Sequence, residues 1–264
     1  MFKVSCIQLR SNDNIKDNLK KTESLIKKAI NQGADLILTP EVSSLFSLNK
    51  KQLLKQCTSM NKDFYLKGIK NLAKSNKKWI LIGSLIVKSR EKLVNRSVLV
   101  NSFGVVNSYY DKINMYDVTL SKKETYFESK TFSPGKKYQI AKLPWGKIGM
   151  TICYDLRFPN LYRKMAKKNC LFFSVPSAFT ETTGKKHWHT LLKARAIENF
   201  SYIFAPAQAG KHYNGRKTFG HTLIVSPDGK ILKELKKNEG VVTVTVDPDL
   251  SKKLRKIIPS LNKD

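Results

Sequence analysis

The chain has 264 residues, 41% of them hydrophobic and 26% charged, enough to bury the core of one large domain over 1–264. It carries 49 Lys and Arg against 20 Asp and Glu, a formal net charge of +29, yet only eight of those bases are arginine, at positions 10, 90, 96, 157, 163, 195, 216 and 255. Lysine strewn along solvated faces lacks the arginine forks and aromatic platforms of specific nucleic-acid readers, and no apolar run approaches the roughly 20 residues that span a bilayer, so neither nucleic acid nor membrane is an expected partner.

Strand-like and helix-like runs alternate. "FKVSCIQL" opens as a strand and lacks the basic and long apolar regions of a secretion signal. Residues 14–32 set Ile15, Leu19, Leu25, Ile26, Ala29 and Ile30 on an approximate helical stripe that Gly33 closes. "ADLILTPE" reads as a buried strand and 50–75 as one lysine-rich amphipathic helix. "WILIGSLIV" and "RSVLVNSFGVVNSYYDK" add strands, the second with a hairpin signal at Ser102-Phe103-Gly104. A polar excursion over 114–135 precedes "YQIAKLPWGKIGMTICYD", a helix over 160–168 and the strand "LFFSVPSA". A second helix, 187–199, turns Trp188, Leu191, Leu192, Ala194 and Ile197 inward. "YIFAPAQA", a hairpin turning at Pro227-Asp228-Gly229 and "GVVTVTVD" complete the strands. So many strands exceed one sheet, and the expected fold is α/β: two sheets face to face with helices outside, a four-layer α-β-β-α sandwich.

Four cysteines, Cys6, Cys57, Cys153 and Cys170, show neither metal-ligand spacing nor a disulfide framework, which fits a reducing, cytoplasmic setting. Three strand-like runs end in a reactive side chain: Glu41 after "LILTP", Lys112 after "VVNSYYD" and Cys153 after "IGMTI". Sites collect at strand ends because loops vary there while the scaffold stays rigid. Brought together, the thiol is a nucleophile, the carboxylate takes its proton and later returns it to a leaving amine, and the ammonium with the N–H following Cys153 faces an oxyanion. Such acyl transfer needs no metal and no organic cofactor. Singly, each has a plainer reading: a solvated loop glutamate, one of 41 lysines, a buried packing cysteine. Cys6, Cys57 and Cys170 have no partner pattern.

"TPE" at Glu41, "YDKINMYD" at Lys112 and "CYDLRFP" at Cys153 together resemble the Glu-Lys-Cys motifs of the nitrilase superfamily of carbon-nitrogen hydrolases, in order and approximate spacing, over nearly the whole chain. Within it, the block over 176–199, "APAQAGKH" at 205–212 and "GHTLIVSPDG" at 220–229 resemble the Nit branch. The resemblance implies an amidase acting on a small-molecule amide of a keto acid. Deaminated glutathione is the first expectation and 2-oxoglutaramate, an ω-amidase substrate, the alternative. It also implies a homodimer or larger homo-oligomer, and a further glutamate beside the lysine, Glu128 in "YFESKTFSPG", whose plain alternative is a surface loop residue.

Tyr154 and Arg157 after the nucleophile, with Phe179 and Thr180 after the next strand, are expected to border the same pocket. Arg157 suits a bidentate pair with a substrate carboxylate and equally an ion pair with Asp155 or another acid. Phe179 also suits packing, and Arg195 with Glu198, at i, i+3, reads as a structural ion pair. Two positions depart from the family pattern: Asn114 where relatives usually carry histidine, and His189 where they usually carry glutamate. Two other readings are a hydrolase pairing Cys153 with His187, His189, His212 or His221, and a basic nucleic-acid binder or scaffold without catalysis.

Overall fold

The computed structural model describes residues 1–89, 92–122 and 124–263. The first half runs β1 (Phe2–Gln8), α1 (Ile15–Asn31), β2 (Leu36–Leu38), α2 (Lys50–Gln56), α3 (Phe64–Asn76), β3 (Trp79–Ser89), β4 (Lys92–Val100) and β5 (Val106–Asp111). A small hairpin, β6 (Asp117–Ser121) and β7 (Glu124–Phe127), leads to β8 (Gln139–Leu143), β9 (Gly146–Met150), α4 (Pro159–Ala166) and β10 (Cys170–Ser174). The remainder is α5 (Glu181–Asn199), β11 (Tyr202–Ala205), β12 (Ala209–Lys211), β13 (Lys217–Phe219), β14 (Leu223–Val225), β15 (Ile231–Glu234), β16 (Gly240–Val246) and α6 (Pro248–Ile257).

Two six-stranded sheets result, ordered β16-β1-β2-β3-β4-β5 and β15-β14-β11-β10-β9-β8. The two-residue period of a strand decides the layers. Val4, Cys6, Leu36 and Leu38 face the second sheet and share a core with Ile148, Met150 and Phe172. Their neighbours Ile7 and Ile37 face the other way, against Leu19, Ile26 and Ala29 of α1 and Ile69 and Ala73 of α3. Helices α4, α5 and α6 pack on the second sheet. The expected four-layer α-β-β-α sandwich is what forms, and among the described residues no helix is long and apolar enough to cross a membrane.

Local chemistry sets the ends. Asn14 caps α1 by accepting from the N–H groups of Lys16 and Asp17. The single helix expected over 50–75 is instead two, because Asp63 accepts from Leu66 N at 2.7 Å and starts a new helix, while Leu53 and Cys57 turn into a small cluster with Leu45, Ile86 and Leu93. Helix α5 starts six residues earlier than expected, at Glu181 after the Thr180 cap, and its inward face carries Trp188, Leu192, Arg195, Ala196 and Asn199. Ile197 is exposed, contrary to expectation, since Arg195 and Ala196 take the inward turn. The excursion over 114–135 holds the β6–β7 hairpin; this hairpin, β12–β13 and α6 had no expected counterpart.

Candidate active site

Two of the three segments that end in a reactive group, those of Glu41 and Cys153, bend through unusual backbone. Cys153 has φ +48° at the head of a 3-10 turn over Cys153–Arg157, its N–H given to Pro176 O at 2.9 Å. Val42, next to Glu41, has φ +49°. Left-handed backbone at side chains other than glycine is uncommon and marks turns held by their surroundings. Gly83 makes room for the Glu41 bend: a Cβ there would lie 2.0 Å from Thr39 O and 2.4 Å from Pro40 O.

Glu41, Lys112, Glu128 and Cys153 line one cavity of about 300 Å³. Lys112 is 2% exposed, so its charge requires partners, and Nζ has them: Glu41 Oε1 at 3.0 Å and the Glu128 oxygens at 3.0 and 2.8 Å. Asn95 Nδ2 donates to Glu41 Oε1 at 3.0 Å and to Glu128 Oε1 at 3.3 Å. Tyr116 N donates to Glu128 Oε2 at 2.7 Å, and Ala178 N to Glu41 Oε2 at 2.8 Å. Glu128 is therefore beside the lysine rather than on a surface loop.

Burial alone would raise the Glu41 carboxyl, but the Lys112 ammonium and hydrogen bonds from Cys153 and Lys112 hold it below its ordinary value. Burial and then the Glu41 charge push the Cys153 thiol up. Lys112 rises as well: burial opposes its charge, and Glu128 and Glu41 outweigh that. At neutral pH the cluster is thus carboxylate, ammonium and thiol. Asp155 accepts from Tyr110 Oη at 2.8 Å, Ile152 N at 2.9 Å and Asn114 Nδ2 at 2.8 Å. Asn114 therefore braces the turn that carries Cys153.

Tyr154, Phe179 and Thr180 line the cavity as expected. Arg157 does not: Nη2 lies 3.2 Å from His187 Nδ1, and the guanidinium sits one layer back, 5.4 Å from the centre of the Phe179 ring and 5.9 Å from that of Tyr154. It makes no pair with Asp155. The arginine of the cavity is Arg216, over the rings of Tyr126 at 5.0 Å and Phe46 at 5.5 Å, with Nη2 donating to Ala178 O. Its Nε is buried without a hydrogen-bond partner among the described residues. Arg216 and Asn95 escaped the sequence reading; the scarcity of arginine in a lysine-rich chain was the one available signal for the first. None of the four histidines lines the cavity, which removes the cysteine-histidine alternative. Arg195 and Glu198 pair at 3.1 Å as expected.

The four-layer sandwich and the cavity lined by Glu41, Lys112, Glu128 and Cys153 fit a hydrolase of carbon-nitrogen bonds. The chain belongs to the carbon-nitrogen hydrolase family, whose family model matches residues 3–256, and it is an amidase-class enzyme for carbon-nitrogen bonds other than peptide bonds. It is 37% identical to the deaminated glutathione amidase of Yersinia enterocolitica over 262 residues, 98% of this chain and 91% of that one. Its likeness to the deaminated glutathione amidase of a Synechocystis strain is 36% over 265 residues, 98% and 97% of the two chains. Among solved structures, Caenorhabditis elegans NitFhit superposes with a TM-score of 0.93 at 29% identity; all of this chain is covered, and it spans 65% of that longer one. Saccharomyces cerevisiae Nit3, a member of branch 10 of the nitrilase superfamily, gives 0.87 at 28% identity, covering 98% and 94%.

Proposed function

We propose that this amidase cleaves deaminated glutathione to 2-oxoglutarate and cysteinylglycine through a Cys153 thioester. The observation that carries the reading is that Glu41, Lys112 and Cys153, all buried, and the half-buried Glu128 line one cavity. Glu41 takes the thiol proton as Cys153 Sγ bonds to the amide carbon. Protonated Glu41 holds Lys112 less strongly, so an Nζ–H turns to the new oxyanion, together with Tyr154 N–H, which has no backbone acceptor among the described residues. Glu41 passes the proton to the amine nitrogen as the C–N bond breaks. Water then attacks the thioester, Glu41 takes its proton, and the thiol is restored with release of the acid.

Arg216 is the proposed anchor for a substrate carboxylate, its unpartnered Nε offering the donor that Arg157 spends on His187. The same acyl group occurs in 2-oxoglutaramate, so an ω-amidase activity differs only in the leaving-group pocket. The deciding assay is 2-oxoglutarate release from both compounds by the native protein and by Cys153→Ala. Faster turnover of deaminated glutathione, abolished by the substitution, supports the assignment. Preference for 2-oxoglutaramate moves the substrate and keeps the chemistry, whereas activity surviving in Cys153→Ala defeats the thioester. A single domain, a cytoplasmic location and a homodimer or larger assembly complete the proposal; light scattering on the purified protein tests the last.

A further inference from the structure

Away from the cavity, three side chains from three elements converge on one point. Glu234, the last residue of β15, has Oε1 at 2.9 Å from His189 Nε2 of α5 and at 2.6 Å from His221 Nδ1 in the turn before β14. All three ligand atoms lie within 4.8 Å of one another. His221 is held in place: its ring stacks on Phe219 with centroids 4.2 Å apart, its backbone N–H donates to Lys236 O at 2.9 Å, and its backbone carbonyl accepts from Trp188 Nε1 at 2.9 Å. Its backbone sits at φ +57°, so the surroundings rather than local preference hold it there. The other Glu234 oxygen, Oε2, lies 3.6 Å from Lys236 Nζ.

We propose that His189, His221 and Glu234 form a zinc site. Two imidazole nitrogens and a carboxylate oxygen are a donor set suited to this ion, with water in the fourth position reached past the partly exposed His189. Zinc holds such ligands at about 2.0–2.2 Å, which puts ligand atoms about 3.3 Å apart, so both hydrogen-bonded edges open by roughly half an ångström and the His–His edge closes. Coordination takes the neutral imidazole tautomers that turn a lone pair to the ion, with the N–H on the outward nitrogen, Nδ1 of His189 and Nε2 of His221. The ion ties α5 to the second sheet. It also buttresses the cavity wall, because Phe219 donates its N–H to Phe179 O at 2.9 Å, next to Thr180.

The test uses the full chain carrying Cys153→Ala, which removes the cavity thiol as a competing ligand. Calorimetric titration of the metal-free protein with zinc is expected to show one equivalent per chain, and cobalt(II) the intense visible bands of tetrahedral coordination. Zinc at about 100-fold its dissociation constant raises Tm by about 5 °C, while magnesium, which avoids imidazole, does not. His189→Gln and Glu234→Gln each weaken zinc binding at least tenfold, with metal-free circular dichroism reporting an intact fold. Absence of stoichiometric zinc binding, or affinity unchanged in either variant, overturns the proposal.

Discussion

Glu41, Lys112 and Cys153 set each other's protonation, and the directions of their shifts predict a pH profile. Glu41 titrates below its usual range and Lys112 above its own, so neither changes state near neutrality. kcat/KM should be flat from about pH 5 to pH 9, with an acid limb below the ordinary glutamate value of about 4.3. An acid limb near pH 6 would contradict the assignment of Glu41 as base. Lys112→Ala should lower kcat at least 100-fold, as loss of an oxyanion donor does, against little change in Lys211→Ala; equal losses would remove Lys112 from that role. Arg216→Gln should raise KM for the carboxylated substrate about tenfold or more, the scale of a charge-assisted hydrogen bond of about 1.5–3 kcal/mol, and Arg157→Gln should raise it far less. Steady-state kinetics on the two variants separate these arginines.

At the scale of elements, the site depends on bends that sheets make possible and that small residues permit. Gly83 of β3 lies against the Thr39–Glu41 backbone so closely that a methyl group meets carbonyl oxygens rather than a yielding side chain. Gly83→Ala should therefore displace Glu41, lowering kcat more than 10-fold and destabilising the fold by about 1–3 kcal/mol. Activity and urea midpoint both unchanged would show that the bend moves freely. Asp63 offers a milder case away from the site. Its side chain caps α3, and Asp63→Ala should cost about 1 kcal/mol in urea unfolding with kcat unaffected.

Across the whole molecule, the two kinds of base do different work. Each of the seven described arginines takes a directed contact: Arg10 with Ala209 O, Arg96 with Asp111, Arg157 with His187, Arg163 with Glu198 O, Arg195 with Leu156 O, Arg216 with Ala178 O and Arg255 with Asn199 O. Lysine, a flexible point charge, fills solvated faces, and among the described residues Lys112 is the buried exception. Burial also links stability to pH through His212, which donates from Nδ1 to Ser11 O at 2.9 Å, accepts at Nε2 from Thr218 Oγ1 at 2.8 Å, and stacks on Phe46. Burial lowers its pKa from 6.5 to about 4. The unfolded chain takes up this proton near 6.5 and the native chain only near 4, so stability from this source is whole above about pH 6.5 and falls by about 3 kcal/mol on the way to pH 4. Urea unfolding at pH 7.5, 5.5 and 4 should show a shallower acid loss in His212→Gln; an identical slope would refute this origin.

The layered fold was legible in the chain itself because strand alternation and helical stripes are local, and so were Glu41, Lys112 and Cys153, which end strand-like runs in motif-bearing turns. Glu128 was legible through its surrounding motif. Contacts between elements distant in sequence were not. Asn95 reaches Glu41 from β4, 54 residues away, and Asn114 reaches Asp155 across 41. Arg157 and Arg216 show the difference most plainly: chain proximity to the thiol favoured the first, and only the packing of β13 and its preceding loop against Ala178 placed the second in the cavity. Periodicity determines which face of an element is buried; which side chains then meet depends on how the buried faces stack, a property of the assembled sheets alone.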